Sequence, residues 1–60
     1  MTLRIKICGI QHEHELHACI EAGVDAVGFV LSPSPRQVTR ERAITLFEAL
    51  PASIAGVFVV

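Results

Sequence analysis

Leu3-Arg4-Ile5-Lys6-Ile7-Cys8-Gly9 decides how the rest of the chain is read. Its side chains alternate, with Leu3, Ile5 and Ile7 pointing one way and Arg4, Lys6 and Cys8 the other. Such a strand has one apolar face and one polar or reactive face. It ends by placing a thiol, with an ammonium group two residues earlier on the same face, where strand turns into loop. Gly9 follows, and a glycine there lets backbone approach a ligand closely. In α/β proteins with parallel strands, the carboxyl ends of the strands are where ligands bind and chemistry happens.

Outward from that strand the period changes. From about His12 to Ala22, Leu16, Cys19, Ile20 and Gly23 fall at helical spacing. Glu13 and Glu15 sit in the first turn, where negative charge suits the helix dipole, and Gly23 is a natural stop. Val24 to Leu31 reads as a second strand, nearly continuous in apolar character. Ser32-Pro33-Ser34-Pro35 breaks the pattern as a stiff loop. Thr39 is a plausible N-cap for a second helix with Glu41 in its first turn. Ala43, Ile44, Phe47 and Leu50 form its apolar stripe, Pro51 ends it, and Ile54 to Val60 is a third apolar strand.

The order β-α-β-α-β, with helix-length crossovers, implies parallel strands and right-handed connections. With strands side by side in sequence order, both helices fall on one face. The other face is then bare, exposing Ala26, Gly28 and Val30 or their alternates. Purely parallel sheets are normally covered on both faces. The expectation is therefore a βαβαβ opening segment of a (β/α)₈ barrel, with both helices on the outer face. Residues 1–60 are read as an incomplete part of one such domain, since eight-stranded barrels run to roughly 250 residues.

Composition agrees. A 52% hydrophobic and 18% charged chain of 60 residues suits buried parallel strands. A formal charge of −1 gives no electrostatic case for nucleic acid or an anionic membrane. No apolar run approaches the ~20 residues that span a bilayer. Arg4 and Lys6 interrupt the first apolar stretch, so no signal peptide is read, and the expected compartment is the cytoplasm, where thiols stay reduced.

For Cys8 two readings stand on position alone: a small buried hydrophobe, or a base whose thiolate is favoured by Lys6. His12, His14 and His17 cluster, but His14-Glu15-Leu16-His17 is one residue short of the His-Glu-x-x-His spacing. Two ligands without a third make a poor zinc site, so the cluster reads as a solvated helix face and no metal is expected. Cys19 lies on the apolar stripe, and alternation aims Cys8 the opposite way, which disfavours a disulfide. No G-x-G-x-x-G dinucleotide fingerprint is present.

Four stretches in order, Lys6-Ile7-Cys8-Gly9-Ile10, Ala22 to Val30, Ser34-Pro35-Arg36 and Gly56-Val57-Phe58-Val59, resemble the N-terminal segment of phosphoribosylanthranilate isomerases. The resemblance implies a (β/α)₈ barrel and an Amadori rearrangement in tryptophan biosynthesis, without metal or organic cofactor. N-(5-phosphoribosyl)anthranilate would become 1-(2-carboxyphenylamino)-1-deoxyribulose 5-phosphate. It implies Cys8 as general base and Arg36 as the contact for the anthranilate part of the substrate. Gly9 and Lys6 would be subsidiary, Gly9 beside the substrate and Lys6 tuning Cys8. Without the motif, Arg36 reads as an ordinary solvated loop arginine.

The general acid, an aspartate on a later strand, and the phosphate site in the last loops are expected outside these residues. Asp25 precedes the second strand, away from the site, and reads as a turn or structural contact. Gln11 departs from the Thr or Ser that would cap the first helix, so a weakened cap is expected. The 60-residue chain alone is expected to be inactive without the remainder of the barrel. Another sugar-phosphate (β/α) barrel enzyme, or an inert assembly fragment, are the alternatives.

Overall fold

The computed structural model describes residues 4–60, so Leu3 lies outside the described residues. Five elements follow in order: β1 (Lys6–Cys8), α1 (Glu13–Ala22), β2 (Ala26–Val30), α2 (Arg40–Glu48) and β3 (Ala55–Val59). The strands form one parallel sheet in the order β1-β2-β3. Cys8 stands beside Gly28, and Gly28 beside Val57.

That register sorts the side chains. Val27 and Phe29 are fully buried with Leu16 and Cys19 of α1 and with Ala43 and Leu46 of α2, in one apolar cluster. Both helices therefore cover the same face, as expected. Ile7, paired with Val27, lies on that face at its open β1 edge and stays 39% exposed. The opposite face carries Lys6, Cys8, Ala26, Gly28, Val30, Ala55, Val57 and Val59.

The exposure expected of Ala26, Gly28 and Val30 is corrected. Gly28 is buried and the other two are half-buried, because they lie on the middle strand and are flanked on both sides. The bare parts of this face are its two edges, at Lys6 and Cys8 of β1 and at Ala55 and Val57 of β3.

The strands are shorter than their apolar runs because their amino ends are used in turns. Gly23 closes α1 in the left-handed region at φ 74°, its N–H donating to the Cys19 and Ile20 carbonyls. Asp25 then ties the three strands together at the amino end of the sheet. Its Oδ2 accepts from Ile5 N at 2.7 Å, and its own N–H donates to Ile5 O at 2.9 Å. Ala55 N donates to Asp25 O at 3.0 Å. Asp25 is a structural clamp at the end remote from Cys8.

Both helix starts are satisfied, one differently from the sequence expectation. Thr39 caps α2 as expected, its Oγ1 accepting from Arg42 N at 3.1 Å. In α1 the N-cap is His12, not Gln11. Glu15 reaches back instead, its Oε1 accepting from Gln11 N at 2.8 Å and His12 N at 3.1 Å. These bonds, led by that from Gln11, hold the Glu15 carboxyl below the usual carboxylate range, helped by the charges of His12 and His14.

The stripe of α2 also needs correcting. Ala43 and Leu46 are its buried residues, while Ile44 is 46% and Phe47 42% exposed. Ala43 and Leu46 are three residues apart and point at the sheet. Ile44 and Phe47 lie on the flank above β3, where the Phe47 ring centroid is 5.4 Å from that of Phe58.

Candidate active site

The carboxyl ends of β1 and β2 bring three sequence-predicted residues together. Cys8 ends β1 as an exposed free thiol. Gly9 then turns the chain at φ 87°, a conformation side chains disfavour. Its N–H and that of Ile10 both donate to Gly28 O, at 3.0 and 3.1 Å. Gly28 itself makes room for the thiol, since a Cβ built on it would lie 2.9 Å from Cys8 Sγ.

Arg36 arrives from the other loop. Ser34 Oγ accepts from Arg36 N at 3.2 Å, and Val38 N donates to Val30 O at 2.9 Å, which folds the loop back onto the end of β2. The stem of Arg36 then crosses Gly9, where an added Cβ would stand 3.2 Å from Arg36 Cγ. Arg36 Nη1 donates to Gly9 O at 3.4 Å. Gly9 thus serves both the turn after the thiol and the approach of the guanidinium. Lys6 shares the face of Cys8 one rung toward the amino end, beside Ala26.

A thiol held at a strand end and a guanidinium of the kind that forks carboxylates thus share one shelf. The shelf is open. A hollow of about 340 Å³ lies elsewhere, between the exit of β2 and the start of α2, lined by Ser32, Thr39, Arg40 and Val60 among others. It does not reach Cys8 or Arg36, and its lining holds no thiol beside a guanidinium, so the shelf is the candidate site.

Other residues singled out in the sequence lie apart from it. Cys19 is buried under α1, on the sheet face opposite Cys8, and both thiols are free. Burial, then the charge of Glu15, pushes the Cys19 thiol up. The three histidines are exposed, with His12 and His14 stacked at 5.4 Å. Among the described residues no three His, Cys, Asp or Glu side chains are grouped to hold a metal ion. Among them, too, no helix is long and apolar enough to cross a membrane.

Two contributors escaped the sequence reading. Gln11 Nε2 donates to Pro35 O at 3.4 Å, and Arg42 Nε donates to Gln11 O at 3.2 Å. The signal for Arg42 was its place three residues after the Thr39 cap, which aims its side chain back over the loops. Nothing in the sequence indicated its partner, 31 residues away.

No family model matches the chain. Individual relatives do. The N-(5'-phosphoribosyl)anthranilate isomerase of Symbiobacterium thermophilum is 51% identical over 92% of this chain and 26% of its own length. That of Dechloromonas aromatica is 45% identical, over 98% of this chain and 30% of its own. Among solved structures, a phosphoribosyl anthranilate isomerase in complex with reduced 1-(o-carboxyphenylamino)-1-deoxyribulose 5-phosphate superposes with a TM-score of 0.93. It is 38% identical and matches 98% of this chain and 31% of that one. The chain thus spans between a quarter and a third of the length of the proteins it matches. In sequence and in fold it is similar to the N-terminal part of phosphoribosylanthranilate isomerases, the βαβαβ opening of a (β/α)₈ barrel.

Proposed function

We propose that residues 1–60 supply the opening units of a single-domain phosphoribosylanthranilate isomerase barrel acting in the cytoplasm, and carry half of its catalytic pair. The observation that carries this is the convergence of Cys8, Gly9 and Arg36 at the carboxyl ends of β1 and β2. The substrate is N-(5-phosphoribosyl)anthranilate and the product 1-(2-carboxyphenylamino)-1-deoxyribulose 5-phosphate, with no cofactor taking part.

In this reading the Cys8 thiolate takes the proton from C2 of the protonated Schiff base, and the resulting enol-amine tautomerises to the aminoketose. Arg36 forks the anthranilate carboxylate. Asp25, the one aspartate of the chain, sits at the far end of the sheet and does not serve as the acid. The acid and the phosphate-binding loops come from the remainder of the barrel.

The test of the arginine is a substitution in a complete barrel that opens with these residues. Arg36→Met keeps the stem across Gly9 and removes the fork. KM for the aminoaldose should rise at least tenfold, the ~1.5–3 kcal/mol carried by a hydrogen bond to a charged group. A KM within about twofold of the parent would remove Arg36 from substrate binding, since a change that small lies below the worth of such a bond.

A further inference from the structure

Resting on the isomerase reading, we propose that Gln11 and Arg42 are positioning residues that set the distance between the loop carrying Cys8 and the loop carrying Arg36. Gln11 reaches three elements with three polar groups. Its N–H donates to Glu15 Oε1 of α1 at 2.8 Å, its Nε2 to Pro35 O of the β2–α2 loop at 3.4 Å, and its carbonyl accepts from Arg42 Nε of α2 at 3.2 Å.

Two ties therefore run in parallel between residues 9–11 and residues 35–36, with opposite polarity. Arg36 donates to Gly9 O in one, and Gln11 donates to Pro35 O in the other. Arg36 spends one guanidinium N–H on Gly9 O and keeps its other donors for a carboxylate, whereas the Gln11 tie draws on none of them. The Gln11 tie persists whatever Arg36 binds. A serine or threonine at position 11 is too short to reach Pro35 O.

Arg42 fixes the third side. Its backbone N–H is held by Thr39 Oγ1, its Nε by Gln11 O, and its Nη2 lies 3.4 Å from His12 Nδ1. A planar guanidinium held at two nitrogens has a fixed plane, which a lysine ammonium does not. Gln11 and Arg42 contact the loops and not the thiol, so their effect is on the placement of Arg36 and hence on substrate affinity.

The experiment has two arms. In a complete barrel opening with these residues, Gln11→Ser and Arg42→Ala should each raise KM for N-(5-phosphoribosyl)anthranilate about fivefold, the factor one net hydrogen bond carries, with a much smaller change in kcat. Arg42→Lys, which keeps one donor, should recover part of the loss. In the 60-residue chain itself, Gln11→Ser should speed amide exchange at Arg36 and Gln37, in the loop that is not substituted, while Val27 and Phe29 stay protected. KM unchanged in both variants, or faster exchange confined to residues 10–12, would overturn the proposal. A parent barrel without turnover would fell the isomerase reading, and the exchange arm would still decide whether the loops are tied.

Discussion

At the scale of single residues, the two cysteines show how position in a sheet divides one chemistry into two. Cys8 is exposed at a strand end, whereas Cys19 is 8% exposed and its thiol is pushed up by burial and by Glu15. A raised thiol pKa favours the neutral form in the fold. The associated stability is present below the unfolded value, near ~8.5, and is lost as pH rises through the folded value. At pH 8, iodoacetamide should label Cys8 at least tenfold faster than Cys19 in the native chain, with the difference vanishing in denaturant, since the thiolate is the reactive form. Equal native rates would contradict the burial of Cys19. The inward aim of Cys8 was legible from alternation alone, because a strand has a period of two. The space that Gly28 leaves for its sulfur was not, since that depends on a register 20 residues away in sequence.

At the scale of elements, the local signals were read correctly except at the start of α1. The Thr39 cap, the Gly23 stop and the helical spacing around Leu16 depend only on near neighbours. The misreading of the α2 stripe was of long-range origin. Ile44 and Phe47 look like core on a helical wheel, but which side of α2 meets the sheet is set by where β2 and β3 lie. The cap of α1 was sought at Gln11, whereas Glu15 supplies it from within the helix. That arrangement is pH-dependent with a definite sign. A carboxyl held below its usual range stabilises the fold above the unfolded value, near ~4.3, and the contribution is lost as pH falls through the folded value. Exchange at the Gln11 and His12 amides should therefore accelerate as pH drops below that range, once intrinsic rates are divided out. Glu15→Gln, which remains an acceptor without charge, should flatten the dependence. An unchanged profile in Glu15→Gln would refute the role of Glu15.

At the scale of the whole molecule, the shape accounts for what the chain leaves uncovered. Its shortest extent is 16 Å, room for one sheet and one layer of helices at the ~10 Å spacing of packed layers. Val57 is 36% exposed on the bare sheet face, and Phe58, Ile44 and Phe47 are 40–46% exposed on the flank beside β3. Apolar surface at a sheet edge promotes association. Sedimentation of the isolated chain should show self-association that grows with concentration, and a compact monomer at all concentrations would count against this. The barrel context was legible in the sequence as an uncovered face before any strand was placed. The arginine shelf was legible only through the resemblance, because an arginine after two prolines is by itself an ordinary loop residue.

The central claim is that Cys8 is the base, and Cys8→Ala in a complete barrel opening with these residues tests it most directly. The variant leaves Gly9, Gly28 and Arg36 in place, so substrate binding and folding should be retained. Turnover of N-(5-phosphoribosyl)anthranilate should fall by at least about a hundredfold, the lower bound for loss of a positioned general base. A variant that folds and turns over within a few fold of the parent would contradict it.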